Sequence, residues 1–96
     1  METTYYIIVD IATAQGLTEV GSFQLGSDLD FAATTFDNLK GVPGDADNSI
    51  IRMSLIEIGT DSIPKTLKSI GCILNQCAEN CKIIVRDVFK LYSLQK

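Results

Sequence analysis

Ile63-Pro64-Lys65-Thr66-Leu67-Lys68-Ser69-Ile70-Gly71-Cys72-Ile73-Leu74-Asn75-Gln76-Cys77-Ala78-Glu79-Asn80-Cys81 is the stretch on which the fold turns. Its apolar members Ile63, Leu67, Ile70, Leu74, Cys77 and Cys81 step by four, three, four, three and four, the spacing that aligns one face of an α-helix. This predicts a helix from about Pro64 to Asn80, its stripe packed on a sheet, despite the propensity penalty at Gly71.

Downstream, Lys82 to Tyr92 sets Ile83, Val85, Phe89 and Leu91 on one side of an extended chain, with Asp87 the awkward member, and reads as a last strand. The same residues also read as a short strand followed by a C-terminal helix from about Arg86, because Val85, Val88, Phe89 and Tyr92 form a tight helical stripe.

Upstream, Ile50 to Ile58 is apolar except for Arg52, Ser54 and Glu57, which suits a central strand covered on both faces. Thr4 to Ala12 alternates, with Tyr5, Ile7, Val9 and Ile11 on one face. Thr18 to Leu25 alternates again after a glycine-bearing reversal at Gly16, so the two segments read as a hairpin. Ser27 as N-cap, Asp28 and Asp30 in the first turn and Lys40-Gly41 as a stop predict a helix over about 28–40 with Leu29, Ala32, Ala33, Phe36 and Leu39 inward. Gly41 to Ser49 reads as an exposed loop. The order is β-β-α-β-α-β: an α+β two-layer sandwich in which a four-stranded mixed sheet carries two helices on one face.

Ninety-six residues, 46% hydrophobic and 21% charged, fit one small α+β domain, 1–96, and exclude a disordered or collagenous chain. The net charge of -4 offers no general attraction to phosphate backbones or anionic lipid, so nucleic acid and membrane are not expected partners. That charge is unevenly spread: ten acids and two bases lie up to Asp61, two acids and six bases from Ser62 onward. Packing of the two halves side by side neutralises part of it, and a bipolar surface also suits pairing with a second copy. The N-terminal apolar run ends at Asp10, too short for a signal segment, and Cys72, Cys77 and Cys81 are an odd set crowded on one predicted helix. A reducing cytoplasm is the expected compartment.

The absence of histidine removes Ser-His and Cys-His nucleophile pairs and imidazole metal ligands. The Cys72-x4-Cys77-x3-Cys81 spacing does not suit a four-ligand zinc site; Cys77 and Cys81 fall on the buried stripe and read as small core side chains, whereas Cys72 lies just off it, where partial exposure is expected. Lys68, one turn earlier, is the one cation near enough in sequence to activate it. Asp45 to Ser49 begins like a calcium loop but has Ile50 where glycine is needed and Ile56 where a bidentate glutamate is needed. No catalytic residue, metal or cofactor is assigned, and no enzymatic activity is expected.

Two surfaces remain as candidates. Ser62, Lys65, Thr66 and Lys68 at the start of the second predicted helix form a candidate site for a small anion, where lysines stand against the helix dipole. Tyr6, Ile8 and Tyr92, with Val20, Ile84 and Val88, are expected on the helix-free face of the sheet as an interface with aromatic anchors. The first functional expectation is a non-enzymatic protein-interaction module, acting as a homodimer or with another protein. The alternative is a regulatory domain that captures an anionic metabolite.

Overall fold

The aromatic and β-branched run after Thr3 becomes β1, Thr4–Thr13, and returns through a tight turn as β2, Gly16–Gly26. Gly16 supplies the positive φ of 111° that this reversal demands. The computed structural model describes residues 3–45 and 49–94. After β2 come α1 (Leu29–Asp37), a 3-10 turn (Pro43–Asp45), β3 (Ile51–Ile58), β4 (Pro64–Cys72) and α2 (Leu74–Leu94).

The sheet has four strands in the order β2-β1-β3-β4, and every neighbouring pair is antiparallel. The α+β sandwich holds, while the mixed sheet is corrected to an antiparallel one and the order to β-β-α-β-β-α. Local geometry explains the correction at Ile63 to Cys81. Gly59-Thr60-Asp61-Ser62 is a hairpin turn: Ser62 sits at φ 60°, its N–H donates to the Gly59 carbonyl at 3.1 Å, and Asp61 Oδ1 accepts from the Ile63 N–H at 3.1 Å. The chain therefore folds back on β3 and satisfies that strand's second edge with Pro64–Cys72, where a helix would have left it open.

The segment from Lys82 to Tyr92 is not a strand. Its C-terminal helix exists but starts at Leu74, because Cys77, Asn80, Ile84 and Val88 give one face that packs on the sheet across the whole length. In the first half, the N-cap is Asp28, one residue beyond the expected Ser27, with Oδ1 accepting the Phe31 N–H at 3.2 Å.

One core unites the elements: Tyr5, Ile7 and Val9 of β1, Leu25 of β2, Ala32 and Phe36 of α1, Ile51, Met53 and Leu55 of β3, Ile70 and Cys72 of β4, and Ile84 of α2. Both helices contribute to it, so they share one face of the sheet. Asn80, fully buried, ties the layers together. Its Oδ1 accepts the Lys40 N–H at 2.7 Å and its Nδ2 donates to the Lys40 carbonyl at 2.8 Å, which fixes the chain just past α1 against the first half of α2. Two residues on, Val42 bridges Gly71 through paired backbone hydrogen bonds, and a Cβ at Gly41 would stand 2.8 Å from the Gly71 carbonyl oxygen, so only glycine allows this approach.

Candidate functional site

The four residues of the candidate anion site share no helix N-terminus. Ser62 lies in the β3–β4 turn, and Lys65, Thr66 and Lys68 lie on β4. Lys65 stands opposite Glu57 in the strand register, and Lys68 Nζ donates to Asp37 Oδ1 at 2.7 Å. The conflict with a helix dipole that drew attention to these lysines disappears once the segment is a strand, and their charges face acids of the N-terminal half.

Two of the thiols, Cys72 and Cys77, are held in the protonated form. Cys72 is buried at the end of β4, not partly exposed, with Sγ donating to the Lys40 carbonyl oxygen at 3.4 Å. Burial first, and the nearby Cys77, push its pKa up to about 11. Burial likewise raises Cys77, whose neighbour is Cys81. A protonated thiol is a poor nucleophile and a poor metal ligand. Among the described residues no group of three or more acids, cysteines or histidines is arranged to hold a metal ion. Tyr5, also buried, donates to Glu57 Oε2 at 3.2 Å, and desolvation together with that carboxylate holds the phenol above its ordinary range. The calcium-like segment includes 46–48, which lie outside the described residues.

On the helix-free face, Tyr6 and Ile8 are half-buried beside Ile56, Ile58 and Pro64, around a shallow hollow of about 410 Å³. An ion pair between Arg52 and Asp10 at 3.7 Å lies on the same face. The rest of the expected interface is redistributed. Ile84 is fully buried on the opposite face and Val88 packs against the same core. Val20 is 55% exposed at a bulge of β2, and the Tyr92 side chain lies outside the described residues.

An exposed apolar surface forms where α2 runs past β2. Val85 is 57% and Phe89 69% exposed, and with Ser22, Phe23 and Gln24 of β2 they line a groove of about 400 Å³. On the outer side the same two residues adjoin Cys81, Lys82 and Arg86. Leu74 continues the stripe toward the helix start at 73% exposure. The spacing of Leu74, Ala78, Cys81, Val85 and Phe89 places them along one side of α2, next to the buried face and not part of it. Sequence reading found the stripe of Val85, Val88 and Phe89 and assigned it to a strand or a later helix. Its position beside an outer strand depends on strand order, which no local pattern carries.

The fold and this surface define an α+β two-layer domain with an antiparallel four-stranded sheet. The chain matches no known family model, and no curated protein or solved structure is significantly similar to it. Among the described residues no helix is long and apolar enough to cross a membrane.

Proposed function

We propose that this domain is a non-enzymatic protein-interaction module of the cytoplasm whose partner is a second copy or another protein. The observation that carries the reading is the apolar stripe of α2 beside β2. Surface hydrophobics scattered singly are ordinary, whereas Val85 and Phe89 are contiguous, more than half exposed, and rimmed by Lys82 and Arg86. An aromatic at the centre of such a patch is the kind of residue that dominates binding energy when covered. The raised pKa of Cys72 and Cys77 weighs against nucleophilic chemistry at those two thiols, and the three free cysteines support a reducing compartment.

The test replaces Phe89 with a photoreactive amino acid in the living cell and irradiates. Discrete protein adducts are expected at Phe89 and not at an exposed control position such as Thr60 in the β3–β4 turn. Identical backgrounds at the two positions would overturn the reading.

A further inference from the structure

We propose that the partner is a second copy of this chain, joined antiparallel through the outer edge of β2, so that two four-stranded sheets become one of eight strands and the α2 stripes meet across the same two-fold axis. This rests on the protein-binding reading above.

The two outer strands are treated differently. β4 opens with Pro64, carries Lys65 and Lys68, and has its far end covered by the bridge from Val42 to Gly71. Proline, lysine and a covering segment are among the devices that stop an edge from recruiting another strand; bulges are another, and in β2 they leave only its middle free to pair. β2 is longer, eleven residues, with neither proline nor lysine, and Glu19 is its single charge. Among the described residues nothing pairs with its outer side.

Two bulges interrupt β2, between Glu19 and Gly21 and between Gln24 and Gly26, and leave Gly21 to Gln24 as a regular ladder paired with Val9 to Tyr6. Ser22, Phe23 and Gln24 of that regular segment are the β2 residues beside Val85 and Phe89. A two-fold axis through this segment, perpendicular to the sheet, keeps the helices of both copies on one side. It pairs β2 with β2 and brings each Phe89 toward the groove of the other copy.

A single surface that offers both a strand edge and an apolar helix stripe is complementary to itself, which is what an isologous dimer requires. The regular segment Gly21 to Gln24 spans about 13 Å, so the strand edge sets the register and the α2 stripes supply the rest of the roughly 800 Å² per partner that a stable dimer requires. With only Glu19 charged, a second β2 meets no row of like charges.

The experiment uses the purified chain. Light scattering across a concentration series is expected to show twice the chain mass by about 100 µM. Amide hydrogen exchange at Gly21 to Gln24 is expected to slow by about tenfold or more between dilute and concentrated samples, while Lys65 to Leu67 on β4 stay unchanged. Ser22→Lys with Gln24→Lys, both exposed positions, is expected to weaken the dimer by about tenfold or more. A monomer up to about 1 mM overturns the second copy as partner. A dimer whose β2 exchange does not respond to concentration, and that survives the double lysine variant, overturns the strand pairing. In either of these cases adducts at Phe89 in the cell leave the protein-binding reading standing, and their absence removes both.

Discussion

The chain builds β-β-α twice, and the two units solve the same problem to different extents. In β1-β2-α1 the helix has nine residues, starts on an aspartate cap, and buries Ala32, Thr35 and Phe36 before the chain leaves it. In β3-β4-α2 the helix has 21 residues, and Ile73 precedes it with a side chain that cannot cap; Gln76 Oε1 instead accepts the Ile73 N–H at 3.0 Å. The first helix is as long as its half of the core needs. The second runs on to β2 with an apolar arc wider than the core can cover, so one molecule contains a helix fitted to a monomer and another that presents extra apolar surface. The charge follows the same division, acidic through Asp61 and basic beyond it, and Lys68 to Asp37 is one place where the units meet with opposite signs.

Phenylalanine substitutions on the two helices break this comparison most directly. Phe36→Ala on α1 removes a ring only 3% exposed and is expected to cost about 3–5 kcal/mol of stability in chemical denaturation. A loss below about 1 kcal/mol would show that α1 does not close the core. Asn80→Ala takes away both hydrogen bonds to Lys40 and leaves its N–H without a partner in a part-buried setting, while the carbonyl keeps the Cys72 thiol. A loss of about 1–3 kcal/mol is expected by the same measurement, together with faster amide exchange at Lys40. The smallest effect sharpens the comparison: Phe89→Ala in dilute solution is expected to shift stability by less than about 0.5 kcal/mol, because the ring is not part of the core of its own chain. A loss as large as that of Phe36→Ala would make α2 an ordinary core helix and remove the reason to seek a partner for it.

The legible parts of the fold are those where several local signals agree. β1 and β2 alternate on either side of Gly16, α1 has its aspartates and its stripe, and β3 has its apolar run; each lies within a few residues of its expected bounds. The stretch Ile63 to Cys81 misleads for a physical reason. β4 contains a bulge between Thr66 and Lys68 that interrupts the two-residue alternation at Leu67, so that Ile63, Leu67 and Ile70 imitate the three-and-four spacing of a helix. The imitation joins smoothly to Leu74, Cys77 and Cys81, which do belong to a helix, and the boundary at Ile73 has no polar cap to mark it. The helix-end argument for the anion site goes with that imitation, since Lys65, Thr66 and Lys68 lie on a strand. Tyr6 and Ile8 were correctly assigned to the helix-free face because period-two alternation survives in β1. Ile84 and Val88 were misassigned because their segment was given the wrong period. The position of β2 as an outer strand is out of reach of the sequence, as it requires knowing that β1 sits between β2 and β3.

The carboxamide of Asn80 offers Lys40 one donor and one acceptor, the same pair that a strand's peptide group would offer. It is a single rung of sheet made by a helix side chain. Aspartate has the shape but lacks the donor, and glutamine has both groups one methylene too far, so neither neighbour in chemical space can replace it without losing a rung. Although Lys40 belongs to no regular element, its N–H is therefore expected to exchange with solvent as slowly as the amides of the sheet, which amide hydrogen exchange reads directly.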